Sequence, residues 1–411
     1  MQTHLADFIK DTQDGKTAEA ILRSCVHCGF CLATCPTYQL LGDELDSPRG
    51  RIYLIKEMLE GAPVTAKTQL HLDRCLTCRS CETTCPSGVQ YSHLLDVGRN
   101  IAEQKIPRNW LEKTKRWGLR KFLGNNSLFN NTLKIGQLTR SLLPASLRNS
   151  IPKKQDVQPW PITNQSRRML ILDGCVQPAL SPNINAAAAR VLDKLGIQLI
   201  NLSSVNCCGA IDHHLNAHDA ALQKIQHNID AWWSQLEAGC EAIVITASGC
   251  GAMVKDYGHL LKHDADYAKK AARISSLCRD LSEIITAESA SLTPLIQPAQ
   301  REKIAFHAPC TLQHGQEIVG VIERLLSTAG FELSAVNDAH LCCGSAGTYS
   351  ILQPKLSQQL RDKKLAALQS GAPHTIVTAN IGCLTHLQSG ADVPVRHWIE
   401  LIDEAMAASP N

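Results

Sequence analysis

Eight cysteines near the start of the chain lie in two runs with the same spacing. The first run covers residues 25–36 and the second covers residues 75–86, and each reads C-x-x-C-x-x-C-x-x-x-C-P. This spacing is typical of [4Fe–4S] cluster binding, because three thiolates two residues apart can reach three irons of one cluster when the chain wraps it tightly. The fourth cysteine points away and ligates another cluster, and the proline after it fixes the direction in which the chain leaves.

We therefore predict two [4Fe–4S] clusters whose ligands are crossed between the runs. The first cluster takes Cys25, Cys28, Cys31 and Cys85, and the second takes Cys75, Cys78, Cys81 and Cys35. A pair of zinc sites is an alternative, since C-x-x-C is also a zinc spacing, but zinc needs two such pairs for each ion rather than a triplet and a distant fourth thiol. Disulfides would not explain two copies of one spacing.

Eight more cysteines form two sets of four that repeat along the chain. The first set is Cys175, Cys207, Cys208 and Cys250, and the second is Cys310, Cys342, Cys343 and Cys383. The interval from position 175 to 310 equals that from 207 to 342, and the interval from 250 to 383 is only slightly shorter. The cysteines follow predicted strands such as residues 169–173, 197–202, 242–246 and 375–378. Because the loops after parallel strands meet at one sheet edge, each set should present four thiols in one place.

The repeat favours metal or redox chemistry at these thiols over eight buried small hydrophobic residues. Two cysteines outside the repeat, Cys240 and Cys278, are interpreted as ordinary buried thiols. Isolated histidines near the thiols are more often structural than ligands, so we leave four of them out of the predicted sites. They are His213, His214, His218 and His307.

The chain has 411 residues and a hydrophobic content of 44%, which indicates a globular protein with room for several domains. We predict an α+β multidomain fold, with an N-terminal helical two-[4Fe–4S] domain of ferredoxin type followed by two repeated α/β cysteine-rich domains. The predicted ranges are 1–104 for the ferredoxin-like domain, 105–168 for a basic helical linker, and 169–292 and 301–411 for the cysteine-rich domains.

Local patterns predict several helices. Residues 1–24 and 213–236 each read as one helix, and Ser47 followed by Pro48 is typical of a helix start. On the helix that begins there, Arg49 and Arg51 could screen the charge of the clusters, but we interpret them as part of a solvated face.

The segment 105–168 is strongly basic. It holds 14 Lys or Arg and two acidic residues, which gives +12 in a chain whose net charge is +3. Trp110, Trp117 and Phe122 are interleaved with this charge. The segment is either a linker whose apolar residues pack on the neighbouring domains, or a surface for an anionic membrane or an acidic partner subunit. No recognition motif for nucleic acid accompanies the charge, so we predict no nucleic-acid partner.

The start of the chain has neither the basic residues nor the apolar core of a signal peptide, and no apolar run is long enough to span a bilayer. Clustered cysteines without a secretory signal indicate metal binding in a reducing cytoplasm rather than a disulfide framework. We therefore expect a cytoplasmic location.

Three segments resemble the iron–sulfur subunits of bacterial glycolate oxidase: DSPRGRIY at 46–53, CLTCRSCETTCPSGV at 75–89 and CCGA at 207–210. The resemblance extends over the whole chain. The cysteine-rich domains also resemble those of heterodisulfide reductase, of anaerobic glycerol-3-phosphate dehydrogenase and of lactate-utilisation proteins. The architecture is thus more specific for electron transfer than for one substrate.

The resemblance implies an electron-transfer subunit of a glycolate dehydrogenase complex. Glycolate would be oxidised to glyoxylate, with D-lactate as a second substrate, on FAD held by separate glycolate oxidase subunits. This chain would pass the electrons to a quinone or a similar acceptor, which implies a peripheral position on the inner face of the cytoplasmic membrane. In agreement, the chain has no G-x-G-x-x-G after a strand and no evident catalytic constellation of its own for hydroxy-acid chemistry.

One departure from the related cysteine-rich domains affects the expected cofactors. Their fuller motif ends in C-x-x-C, whereas this chain has Ala247 and Asn380 at the first position of that pair. Each set of thiols could therefore hold a further iron–sulfur centre, another metal or nothing. The alternative functions are a subunit of a related D-lactate or glycerol-3-phosphate dehydrogenase, and a thiol–disulfide enzyme similar to heterodisulfide reductase.

Overall fold

The computed structural model describes residues 1–142, 144, 151–205, 207–297 and 301–407. The N-terminal part is helical, and two four-stranded parallel sheets follow it. This arrangement confirms the predicted fold class. The domain boundaries given above stay a prediction.

Short helices of the N-terminal part surround the two cysteine runs. They are Gln13–Ser24, Pro36–Leu41, Pro48–Leu59, Ala66–Asp73, Ser80–Thr83 and Tyr91–Lys105, with 3₁₀ turns at Phe30–Leu32 and Glu44–Asp46. The Ser47 hydroxyl accepts a hydrogen bond from Gly50 N, so the predicted helix start is confirmed. The helix predicted over 1–24 begins only at Gln13, where the Thr12 side chain caps it.

Arg51 is not on a solvated face, and that interpretation was wrong. Its side chain is 1% exposed, and its guanidinium lies 3.1 Å from the fully buried Asp46 carboxylate. It also donates to Thr37 Oγ1 at 3.1 Å and to the carbonyl of His71 at 2.7 Å. The helical pattern could not reveal this, because the acid and the carbonyl come from separate elements. Arg49 does reach the surface, where it pairs with Glu44.

The basic segment forms the helices Trp110–Leu123 and Asn126–Leu138 and a 3₁₀ turn at Arg140–Leu142. Several of its arginines pair with acids of the flanking domains: Arg108 and Arg116 with Asp73, Arg120 with Asp212, and Arg167 with Glu241. Part of the segment's charge is therefore neutralised inside the molecule. Trp110 and Trp117, two turns apart on one helix, remain 71% and 57% exposed.

Each cysteine-rich domain is built on one parallel sheet. The first has strands β1 (Arg167–Ile171), β2 (Ile197–Asn201), β3 (Ile243–Ile245) and β4 (Cys278–Asp280) in the order β2-β1-β3-β4. The second has β5 (Lys303–His307), β6 (Glu332–Leu333), β7 (Thr375–Thr378) and β8 (Val395–His397) in the order β6-β5-β7-β8. The two orders are identical, as the sequence repeat predicts.

Helices cover the sheets. In the first domain they are Gln177–Leu180, Asn183–Lys194, Ala210–His214, His218–Glu237, Ser248–Lys255, Tyr257–Leu260, Ala268–Leu277, Leu281–Ala287 and Ser289–Leu292, with a 3₁₀ turn at Thr293–Leu295. In the second domain they are Cys310–Gln313, Val321–Thr328, Tyr349–Leu352, Pro354–Gln369, Ile381–Gln388 and Trp398–Ala407. The helix predicted over 213–236 is interrupted at Asn216, whose φ of 58° is left-handed and whose side chain contacts Glu103.

Both Cys-Cys-Gly motifs end on a glycine with a left-handed backbone, φ being 91° at Gly209 and 87° at Gly344. A Cβ atom at Gly344 would lie 2.6 Å from the carbonyl oxygen of Ser357. These glycines turn the chain sharply after the paired thiols, and other residues would be strained there.

The domains contact one another through polar pairs near the thiol sites. The N-terminal part contacts the first cysteine-rich domain through His93 and Asp256, 3.2 Å apart. Thr83 Oγ1 lies 2.8 Å from a ring nitrogen of His314 in the second domain. The two cysteine-rich domains meet where Ser248 N donates to the carbonyl of Ala379.

Candidate metal centres

The structure places the first predicted ligand set around one cavity. Cys25, Cys28, Cys31 and Cys85 line one cavity, together with Cys81. Cys28 is exposed to solvent, whereas Cys25 is buried. The chain thus brings the thiols of the first run and the last thiol of the second run to the same place.

The second set surrounds a neighbouring cavity. Cys75, Cys78, Cys81 and Cys35 all line it. Arg51 also lines this cavity, so its guanidinium places positive charge beside the thiols. The Tyr91 hydroxyl donates to Cys75 Sγ at 3.7 Å, and Cys35 Sγ lies 3.3 Å from Thr37 Oγ1. Such donors favour the anionic thiolates that iron binds.

The two loops wrap their cavities with the same backbone. His27 and Thr77 have φ of 56° and 54°, and Gly29 and Arg79 have φ of 84° and 61°. Each pair occupies the same place in its run. In the second loop, this geometry aims Thr77 N–H at Cys75 Sγ, 3.4 Å away. The repeated spacing therefore corresponds to a repeated loop, and its donor set fits [4Fe–4S] clusters.

The thiols of the first cysteine-rich domain are also brought together. Hydrogen bonds from Cys175 and Cys208 hold the pKa of the Cys207 thiol well below its usual value, in spite of its burial. Cys208 is in turn hydrogen-bonded with Cys250. The four predicted members of this set therefore form one continuous group, in which Cys207 is the favoured thiolate.

In the second cysteine-rich domain, the Cys310 thiol donates to Cys342 Sγ at 3.7 Å, which raises the pKa of Cys310 well above its usual value. Cys342 is hydrogen-bonded with Cys343, and Cys343 with Cys383. Lys364, only 4% exposed, interacts electrostatically with this group. The thiols it interacts with are Cys342, Cys343 and Cys310, while burial lowers the pKa of Lys364 itself. A positive charge in this place lowers the cost of negative charge on the thiols. No sequence pattern indicates this lysine, since it lies in a polar helix.

The thiols of the second cysteine-rich domain lie next to the second cysteine run of the N-terminal part, residues 75–86. Cys310 and Cys342 belong to an apolar cluster that also includes Leu76 and Tyr349, and Cys78 packs against it. Burial, followed by the charge of Cys310, raises the pKa of the Cys78 thiol well above its usual value. The predicted second cluster site and the second set of thiols are thus direct neighbours, which the sequence did not indicate.

The four histidines that were left out occupy different surroundings. His213, His214 and Asp96 have ligand atoms within 4.8 Å of one another, and His213 Nε2 lies 3.1 Å from the Asp96 carboxylate. The ring of His218 lies 4.9 Å from that of His213. His307 lies in the second domain, where it forms a close group with Cys343 and Cys383. A comparison of the two repeats could have singled out His307, because Leu172 stands at the corresponding position of the first.

Within the described ranges, none of the helices combines the length and the apolar character needed to cross a bilayer.

The cluster-binding loops and the paired thiol domains define a class of protein, that of iron–sulfur electron-transfer subunits of oxidoreductases. Residues 21–89 match the family described as 4Fe-4S dicluster domain. Residues 169–255 and 304–388 each match the family described as cysteine-rich domain.

Similar chains narrow the class. The glycolate oxidase iron-sulfur subunit of Escherichia coli (strain K12) is 54% identical over 409 residues, which are 99% of each chain. A probable glycolate oxidase iron-sulfur subunit of Bacillus subtilis (strain 168) is 30% identical over 91% of this chain and 90% of its own. This chain therefore belongs to the family of glycolate oxidase iron–sulfur subunits, and the resemblance seen in the sequence is confirmed.

Less similar proteins match only part of the chain. Lactate utilization protein A of Bacillus velezensis is 25% identical over 238 residues, which are 56% of this chain and 96% of that protein. This match covers less of the chain than the matches to the two glycolate oxidase iron-sulfur subunits.

Proposed function

We propose that this chain carries electrons within a glycolate dehydrogenase complex, from FAD on partner glycolate oxidase subunits to a quinone-type acceptor. The observation that carries the proposal is the 54% identity to a glycolate oxidase iron-sulfur subunit over 99% of both chains. The substrate would be glycolate, with D-lactate as a second 2-hydroxy acid.

The ligands of the two clusters are part of the proposal. Cys25, Cys28, Cys31 and Cys85 would hold one [4Fe–4S] cluster, and Cys75, Cys78, Cys81 and Cys35 the other. The two cavities lined by these sets support this crossed arrangement, although Cys81 borders both. The clusters supply one-electron transfer. The protein contributes the buried Arg51 and the Tyr91 hydroxyl, which stabilise negative charge at the second set.

Contact with the acceptor is proposed to occur at a membrane surface. The basic segment 105–168 retains charge beyond its internal ion pairs, and Trp110 and Trp117 are exposed on it. Exposed tryptophans beside basic residues are typical of proteins that bind the bilayer interface reversibly. A peripheral location on the cytoplasmic side of the membrane would follow.

The direct test uses the complete complex purified without oxygen. Glycolate should reduce its flavin, and the complex should then reduce a soluble quinone analogue. Replacing the exposed Cys28 with Ser should leave flavin reduction unchanged and lower quinone reduction by about tenfold or more, since loss of a thiolate ligand destabilises the cluster. Cys240→Ala, which alters a buried thiol outside every predicted site, is the matched control and should retain full activity.

Two results would contradict the proposal. A complex that lacks this chain and still reduces the quinone analogue at the full rate would exclude the electron-transfer role. Flavin reduction by D-lactate but not by glycolate would instead assign the chain to a lactate dehydrogenase, the alternative that the match to lactate utilization protein A favours.

A further inference from the structure

The second cysteine-rich domain contains a ligand group with one imidazole in it. A ring nitrogen of His307 and the sulfur atoms of Cys343 and Cys383 all lie within 4.8 Å of one another, and all three residues are buried. His307 is the last residue of β5 and is only 2% exposed. Two thiols and an imidazole are ligands that zinc-type ions prefer.

The two ring nitrogens of His307 have different hydrogen-bonding surroundings. Nδ1 lies 3.0 Å from Thr378 Oγ1 on the adjacent strand β7. Among the described residues, Nε2 is buried without a hydrogen-bond partner. Metal-binding histidines are commonly oriented in this way, by a hydrogen bond to the nitrogen that does not face the metal.

The first cysteine-rich domain lacks both members of this polar pair. When the two repeats are aligned on their cysteines, Leu172 stands in the place of His307, and Ile245 stands in the place of Thr378. Leu172 and Ile245 are 2% and 1% exposed, as expected for ordinary core residues. The repeat thus keeps the thiols in both domains but places a histidine beside them in only one.

We infer that the second cysteine-rich domain binds one divalent ion of the zinc type through His307, Cys343, Cys383 and Cys342. Cys343 and Cys383 are within reach of one ion together with the imidazole. Cys342 is hydrogen-bonded with Cys343, which places a third thiol next to this group. Buried Lys364 would offset the negative charge of three thiolates. The inference goes beyond the proposed function and does not depend on the substrate.

The experiment measures metal in the full chain, purified without oxygen and then incubated with Zn²⁺ alone. We expect one zinc per chain, and X-ray absorption at the zinc edge should show one nitrogen and three sulfur ligands. His307→Ala should weaken zinc binding by about tenfold or more. His314→Gln is the matched control, because this nearby histidine has both ring nitrogens occupied, by Thr83 and by the carbonyl of His340. It should retain the zinc.

His307→Cys separates a ligand from a packing residue. A thiol at this position should restore zinc binding but give four sulfur ligands and no nitrogen, a change that a packing role would not produce. Zinc coordinated by sulfur alone in the unaltered chain would overturn the inference, as would an iron–sulfur cluster at this site or equal zinc binding by His307→Ala. None of these readouts requires glycolate, so their failure is distinguishable from failure of the proposed function.

Discussion

Replacing Asp46 with Asn should strongly destabilise the N-terminal domain, because Asp46 neutralises the buried Arg51. The Asp46 carboxylate is fully buried and lies 3.1 Å from the guanidinium of Arg51, which is 1% exposed. Asn has nearly the same size, so the substitution removes the charge and leaves the packing intact. Asp46 has two other partners: Arg74, which is 27% exposed and can return to water, and the uncharged or charged ring of His71, whose Nδ1 lies 3.1 Å from the carboxylate. The cost therefore arises mainly at Arg51.

A charge left buried without its partner typically costs about 3–5 kcal/mol of unfolding free energy. At about 4 °C per kcal/mol for a domain of roughly 100 residues, the midpoint of thermal unfolding should fall by about 12–20 °C. The hydrogen bonds from Arg51 to Thr37 and to the carbonyl of His71 do not offset this loss, since neither partner carries a charge. Because unfolding releases iron irreversibly, variants should be compared at one heating rate without oxygen, by the loss of visible cluster absorption.

Asp7→Asn is the matched control. Its carboxylate pairs with Lys10 at the surface and is 94% exposed, so the midpoint should change by less than about 2 °C. Arg51→Lys should lower the unfolding midpoint by an intermediate amount. A lysine ammonium cannot donate to three acceptors in the planar arrangement of the arginine guanidinium. If Asp46→Asn and Asp7→Asn had the same midpoint, the argument from the buried charge would be refuted.

Three further predictions concern the clusters, the membrane and pH. Cys35→Ser should abolish the EPR signal of the cluster assigned to Cys75 and its neighbours, whereas loss of only the other signal would show that the crossed ligands are wrong. Trp110→Ala combined with Trp117→Ala should reduce co-sedimentation of the assembled complex with anionic vesicles, and equal binding to neutral vesicles would leave the basic segment as a linker. Burial lowers the pKa of His397 from 6.5 to about 4, so stability should be fully present above pH 6.5 and be lost as pH falls towards 4. His397→Gln should flatten that part of the pH profile of chemical unfolding, and an unchanged slope would contradict the assignment.

The repeat explains why much of the fold could be predicted from the sequence. Apolar strands that are covered on both faces stand out as continuous runs, and β7 has the predicted bounds Thr375–Thr378. Strands β4 and β8 were not predicted. Each is very short and includes polar residues, and each forms by pairing with a central strand, β3 or β7. Cys278, interpreted as an ordinary buried thiol, is indeed buried within β4.

The contacts between distant segments could not be predicted. The proximity of Cys78 to Cys310 joins residues of two different domains, and no local pattern encodes it. Arg51 was misjudged for the same reason, since its partners come from other elements. His307 is a different case, because the sequence does contain a signal for it: a polar residue stands where the other repeat has Leu172. That signal indicates a ligand only once the fold has placed Cys343 and Cys383 next to the histidine.

The third letter of the Cys-Cys-Gly motif records a different constraint from the first two. Gly209 and Gly344 are required by a left-handed turn, and at Gly344 by the approach of the Ser357 carbonyl, whereas the two cysteines supply the thiols. During divergence, selection on the glycine should therefore persist for as long as the architecture does, while selection on the thiols should relax once their chemistry is lost. Relatives that retain only the glycine would have the fold of the domain without its thiol chemistry. Counting them together with domains that keep the cysteines would overstate how many relatives carry out that chemistry.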